Sequence, residues 1–184
     1  LDDRTLGTDM RRVQPGLLPE VAAAVAKLMS NLDLIAAAAK IRNVSRFRST
    51  MGEPGVFGVR IQPNHPADAL PGILLSTVEG LLYGCGDAVI GVNPAGESAE
   101  TVAGILHTLD RLIGGLDIPT QHCCLAHVTT QLAAMDVGAP VDLLFQSVAG
   151  TEAANAAFGI SLALLEDAHA RVRAHHAARG LPEG

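Results

Sequence analysis

Residues 87–98, DAVIGVNPAGES, decide how this chain folds. The first half, DAVIGV, is apolar almost throughout, the pattern of a strand buried on both faces of a parallel sheet rather than the alternation of a half-exposed one. NPAGES is turn chemistry, and the segment after it, about 98–114, has the apolar spacing of a helix. A short buried strand that passes through a tight turn into a helix is one β–α unit.

The unit repeats in both directions. Upstream, Gly52, Pro54 and Gly55 break the chain before VFGVRI, a β-branched run, and a helix follows at about 67–83, its regular part starting near Pro71. Downstream, CCLAHV at 123–128 reads as a third strand, with the short helix TTQLAAMDVG after it. VDLLFQSV at 141–148 reads as a fourth strand, and GTEAANAAFGISLALLEDAHARVRAHH as one long closing helix that Thr151 caps. A leading helix spans 17–40, LLPEVAAAVAKLMSNLDLIAAAAK. Alternation of this kind gives a parallel sheet, either an open doubly wound sheet or part of a (β/α) barrel.

Composition narrows the function classes. With 184 residues, 48% of them hydrophobic, the chain can bury a real core. A formal charge of −6 and only two lysines, Lys27 and Lys40, argue against nucleic acid as a partner and favour a small ligand. No leader is read at the start, LDDRTLG, and no apolar run approaches the ~20 residues that span a bilayer, so no membrane association is expected. Cys85, Cys123 and Cys124 lack Cys-x-x-Cys spacing and read as reduced thiols.

Polar residues gather at the C-terminal strand ends, the face where both kinds of α/β sheet bind ligands. Arg60, Gln62 and Asn64 close the first strand, Asn93 the second, His127 and Thr129 the third, Gln146 and Ser147 the fourth. Residues 60, 62 and 64 alternate onto one side of an extended chain, so Arg60, Gln62 and Asn64 are placed to converge on one pocket. Such groups orient a ligand and have little acid–base power. A single polar residue at a strand end more often satisfies loop backbone than touches ligand; four successive ends shift that balance. His122, Cys123, Cys124 and His127 follow no zinc spacing, and no metal site is assigned. Gly84 and Gly86 precede their strand, where a dinucleotide fingerprint would follow it, and Ser147 has no G-x-S-x-G context. His169, His175 and His176 read as solvated surface.

Taken in order, VRIQPNHP, GLLYGCGDAVIGVNPAGES, IPTQHCCLAHVTTQ and GAPVDLLFQSVAGTEAANAAFG resemble the large, catalytic subunit of ethanolamine ammonia-lyase, from about residue 17 to 170. The resemblance implies an adenosylcobalamin enzyme, a lyase that converts ethanolamine to acetaldehyde and ammonia by radical chemistry, in ethanolamine catabolism. It implies a (β/α)8 TIM-barrel fold with about four of the eight units in this chain. Residues 1–51 are then an N-terminal segment with the leading helix, and 52–184 the first half of the barrel. It also implies a small-subunit partner and a homo- and hetero-oligomeric assembly, while the absent leader and the reduced thiols lead us to expect a cytoplasmic location, either free or within a bacterial microcompartment. By motif, Arg60, Ile61 (through its backbone), Gln62 and Asn93 correspond to substrate-binding positions, with Arg60, Gln62 and Asn93 as the catalytic set. Pro94, Gln146, Ser147 and Phe158 correspond to cofactor-binding positions. A glutamate that some members carry near the adenosine is here Ala157.

The family's chain continues through four more strands, which supply the acidic residues for the substrate ammonium, whereas this one ends at LPEG after the fourth. A closed barrel needs roughly 250 residues. Asp68, Glu97 and Glu152 have plain readings as surface or helix-start charges. The expectation is therefore an incomplete catalytic barrel; the alternative is a non-catalytic, cobalamin- or subunit-binding half-barrel.

Overall fold

The computed structural model describes residues 12–40 and 43–182. They fall into two compact units: one holds the described residues up to Val44 with Gly52–Pro54, the other Ser45–Met51 and the chain from Gly55 onward.

Over residues 17–40 the first unit carries two α-helices where the sequence reads as one. Helix α1 is Pro19–Leu28 and α2 is Asn31–Lys40. Between them Met29 is extended, at φ −81° and ψ 139°. Ser30 and Asp33 explain the break: the Asp33 carboxylate accepts from the Ser30 N–H at 2.9 Å and from its hydroxyl at 2.7 Å, while the Asp33 N–H donates to Ser30 Oγ at 3.2 Å. This reciprocal box caps a new helix in mid-run.

The second unit is α/β. It opens with a hairpin, β1 (Ser45–Arg46) antiparallel to β2 (Thr50–Met51). Three parallel strands follow in the order β3 (Arg60–Ile61), β4 (Val89–Val92), β5 (His122–Cys124). Ile61 pairs with Ile90, and Gly91 with Cys123. Helices α3 (Leu70–Leu82), α4 (Ala99–Leu116) and α5 (Val128–Asp136) take their places after β3, β4 and β5. The expected repeat of strand and helix is present in this part of the chain. Among the described residues the sheet is open, and a closed barrel is not formed.

One face of the sheet makes the core. Ile90, Val92 and Cys124 pack with Ile73 of α3 and with Val102, Ile105, Leu106, Leu109 and Ile113 of α4, all essentially inaccessible to solvent. Helix α4 is set by Ser98, whose hydroxyl accepts from the Thr101 N–H at 3.1 Å, and is stopped by Asp117 in the left-handed conformation, φ 51°. No helix among the described residues is long and apolar enough to cross a membrane.

Two expectations are corrected here. VDLLFQSV is not a regular strand: it meets β5 at one bridge, Leu143 to Cys123. Past that bridge the buried Gln131 side chain takes the place of a strand partner, with Phe145 N–H donating to its Oε1 at 3.1 Å and its Nε2 donating to the Phe145 carbonyl at 2.6 Å. The closing helix is also two, α6 (Glu152–Ala157) and α7 (Leu162–Ala178). Thr151 caps the first as expected, and Ser161 caps the second. Between them Gly159 sits at φ 73° and Ile160 is buried, so the chain turns around an apolar anchor.

Candidate functional site

Burial along the end of β3 alternates as an extended chain should: Arg60, Gln62 and Asn64 are exposed, Ile61 and Pro63 buried. Ile61 packs its side chain toward Gly80 and Gly86, so only its backbone remains available to a ligand. The Arg60 guanidinium lies across Gly91 of β4, the space that a Cβ at Gly91 would enter at 2.6 Å from the Arg60 nitrogen. The Arg60 charge also reaches Cys123 of β5, which burial pushes up to about 11 against the opposing pull of that guanidinium. Arg60, Gly91 and Cys123 thus form a row on the sheet face opposite Ile90, Val92 and Cys124. Among the described residues, the side chains of Arg60, Gln62 and Asn93 carry no protein hydrogen bond, which leaves their donors and acceptors for a ligand.

The other polar groups at this edge hold the loops together. Asn64 is not free, as the sequence suggested: its Oδ1 accepts the Asn93 N–H at 2.8 Å. Asp68 accepts from the Ala95 and Gly96 N–H groups, each at 2.8 Å. Glu97 accepts from the His127 N–H at 3.4 Å. The His127 ring stands between Thr129 Oγ1, 2.8 Å from Nδ1, and the Phe158 carbonyl, 3.1 Å from Nε2. Gln146 accepts the Val128 N–H at 2.8 Å through Oε1 and donates to the Ser147 carbonyl at 2.9 Å. Asp68 and Glu97, read from sequence as loop charges, are backbone clamps.

The positions expected near a cofactor lie on the later loops. Pro94 and Gln146 are half-buried, Ser147 is exposed, and Phe158 is 72% exposed. A cavity of about 290 Å³ beside the fourth segment is lined by Leu143, Phe145, Gln146, Leu165, His169 and Arg173, among others. Arg60, Gln62 and Asn93 do not line it.

A second polar cluster, at the N-terminal edge of the sheet, escaped the sequence reading. Asp142, wholly buried, accepts from Arg48 at 3.1 Å and from Arg179 at 3.0 Å, and its second oxygen accepts the His122 N–H at 3.3 Å. Asp110 joins both arginines, at 3.3 Å and 2.8 Å. The buried His122 ring faces both carboxylates, with Nε2 3.6 Å from Asp110 and 3.4 Å from Asp142, too far for a full hydrogen bond. The approach of His122 is the largest influence holding the Asp110 carboxyl below its ordinary value; burial opposes it, and the charges of Arg179 and Arg48 assist. The donor atoms of Asp110, His122 and Asp142 all lie within 4.8 Å of one another. Two guanidinium groups pair with the Oδ1 atoms of the two carboxylates, so two positive and two negative charges balance in an ionic core. The His122, Cys123, Cys124 and His127 group does not gather either, since Cys124 is in the apolar core and His127 holds loops.

The hairpin supplies the missing signal, because its turn delivers Arg48 here. Its neighbour Ser49 donates to Gln121 Oε1 at 3.0 Å, and Phe47 stacks on His176 with ring centroids 4.7 Å apart. His176, expected at the surface, is therefore buried, and His175 is half-buried.

With the edge described, the sequence relationships can be placed on it. The family described as Ethanolamine ammonia lyase large subunit (EutB) matches residues 1–181. The chain belongs to the ethanolamine ammonia-lyase large-subunit family. It is 45% identical over 170 residues to the "Ethanolamine ammonia-lyase large subunit" of Escherichia coli strain K12, covering 92% of this chain and 38% of that one. The figures are the same for the protein of that name from Salmonella typhimurium strain LT2. This chain thus spans well under half the length of the ethanolamine ammonia-lyase large subunits it matches. The described edge, from Arg60 to Phe158, lies within the matched residues.

Proposed function

We propose that the chain is part of the catalytic large subunit of an adenosylcobalamin-dependent ethanolamine ammonia-lyase, which converts ethanolamine to acetaldehyde and ammonia. Its parallel β–α units are the first half of a (β/α)8 barrel, completed by further strands. The observation that carries this reading is the set of uncommitted side chains at the C-terminal strand ends, Arg60, Gln62 and Asn93, in a chain of this family.

Their chemistry suits an amino alcohol. The Gln62 and Asn93 amides each offer a donor and an acceptor that fix the substrate hydroxyl, and Arg60 places a fixed positive charge beside that oxygen as it gains acidity during the reaction. The Ile61 backbone contributes along the same edge. None of the three moves a proton itself; they orient the carbinol carbon. Asp68 and Glu97 are engaged with backbone N–H groups, so neither is offered freely to the ammonium end of the substrate.

The later loops fit the cofactor. Ser147 is polar and exposed, Gln146 is half-buried with its amide holding the Val128 N–H and the Ser147 carbonyl, and Phe158 and Val148, 72% and 60% exposed, offer apolar surface. A broad macrocycle bearing amide arms needs this combination, and Pro94, Gln146, Ser147 and Phe158 would hold it and its adenosyl group. When bound, adenosylcobalamin supplies the radical that removes hydrogen from the carbinol carbon. The small subunit is the expected partner on the cofactor side, in a cytoplasmic hetero-oligomer.

The test is Gln62→Ala and Asn93→Ala in the complete enzyme. Loss of one oriented hydrogen bond each should lower turnover roughly 10- to 100-fold with little change in melting temperature. Unchanged turnover in both would remove the assignment.

A further inference from the structure

The turn after β4, Asn93–Gly96, carries one residue placed against substrate and one against cofactor in the proposed site. Within its own sequence only Pro94 restricts the backbone, by fixing one φ. Its backbone has three N–H groups, on Asn93, Ala95 and Gly96, because Pro94 has none. All three are taken by side chains of the preceding loop: Asn64 Oδ1 by Asn93, and the two Asp68 oxygens by Ala95 and Gly96, each at 2.8 Å. These contacts bridge 27 to 29 residues of sequence, so they fix one loop against another.

The clamp is itself braced. The Asn64 N–H donates to the Gln62 carbonyl at 2.9 Å across Pro63, which is buried. His65 Nδ1 accepts from Ala67 and Ala69 at 3.2 and 3.3 Å, and the Asp68 N–H donates to the His65 carbonyl at 3.1 Å. Asp68 is held at φ 48°, a conformation that Asp and Asn tolerate better than other side chains. Two acceptor side chains, one monodentate and one bidentate, therefore set the position of the Asn93 Cα.

We propose that Asn64 and Asp68 are positioning residues for the reaction: they touch neither substrate nor cofactor, and they aim Asn93 and Pro94 by binding every N–H of the turn that carries them. The proposal rests on the reading of Asn93 as a substrate contact. A displacement of about 1 Å at such a residue costs on the order of 100-fold in rate.

The experiment uses the complete large subunit assembled with its small subunit and adenosylcobalamin. Asn64→Ala and Asp68→Asn are compared with Asn93→Ala for kcat and KM with ethanolamine. Hydrogen–deuterium exchange over residues 93–96 of the large subunit is followed alongside. Asp68→Asn keeps the left-handed backbone acceptable and converts one acceptor into a donor, so it breaks half of the bidentate grip. Expected are faster exchange at 93–96 and a fall in kcat/KM of roughly 10- to 100-fold in both variants. Asn64→Asp, which retains the acceptor oxygen, should recover the exchange protection and part of kcat/KM; a merely structural role would lower melting temperature without this rescue. The proposal is overturned if Asn93→Ala is crippled while Asn64→Ala and Asp68→Asn stay within about twofold of the parent. If Asn93→Ala itself turns over normally, the substrate-contact reading fails first, and the positioning role falls with it. Should Asn64→Ala not fold, Asn64→Asp and Asp68→Asn decide between the same outcomes.

Discussion

Replacing Asp142 by alanine is the sharpest test of the ionic core. The Asp142 side chain has no solvent exposure, and three donors converge on it: Arg48 at 3.1 Å, Arg179 at 3.0 Å and the His122 N–H at 3.3 Å. Both arginines are only 21% exposed, so water cannot fully replace the lost carboxylate. Asp110 remains as a partner for each, but one carboxylate then faces two guanidinium groups. Removing one member of a largely buried charge set costs up to roughly 3–5 kcal/mol, because the two guanidinium groups are left with a single, shared carboxylate. With an m value of about 2 kcal/mol/M for a cooperative unit of this size, the urea midpoint should fall by up to about 1.5–2.5 M. Far-ultraviolet circular dichroism along a urea series measures it, and Asp142→Asn, which keeps an acceptor but not the charge, should lie between the two. A shift below about 0.5 M for Asp142→Ala would show that the arginines do not depend on this carboxylate, and the account of the cluster would be wrong.

Two further outcomes are expected. Gly91→Ala pushes a Cβ to 2.6 Å from the Arg60 guanidinium, the mobile end of a long side chain; stability should change by less than about 1 kcal/mol while turnover of the complete enzyme drops about 10-fold, checked by melting curves and steady-state kinetics. The neutral His175 ring accepts the Val141 N–H at 3.1 Å, and burial first, then the charges of Arg179 and His176, lower its pKa, with Asp142 opposing. A lowered folded pKa means the unfolded state takes the proton more readily, so this contribution is complete above about pH 6.5 and is lost as pH falls through the folded value. The urea midpoint should therefore decline between pH 7.5 and 5.5 more steeply in the parent than in His175→Asn, with equal slopes counting against the idea.

The parts of the fold that were legible in the sequence are those set by local pattern. DAVIGV and the helix after Ser98 stand as read, because an apolar run and a capping hydroxyl each act within a few residues. The Arg60–Asn64 alternation was equally visible, and the burial pattern follows it. The breaks at Ser30 and Gly159 had signals in the sequence, a Ser–Asp box and a Gly-Ile-Ser turn, that long apolar spacing masked. What the sequence hid is non-local. Arg48, Asp110, His122, Asp142 and Arg179 lie on separate elements, and no spacing links them. VDLLFQSV has strand composition, yet the Gln131 amide competes for its backbone. Asn64 and Asp68 have the residue types of ligand contacts, and only the folded loops bring them to the neighbouring loop's N–H groups.

The loop clamps also have a direction along the chain. Asn64 and Asp68 are made before the Asn93–Gly96 backbone they grip, Glu97 before His127, and His127 before the Phe158 carbonyl. In each case the side chain leaves the ribosome ahead of its target. Each gripping side chain is therefore already present when its target segment is made, so this edge can be assembled in chain order. Gln146, which reaches back to the Val128 N–H, then closes the series from the far side.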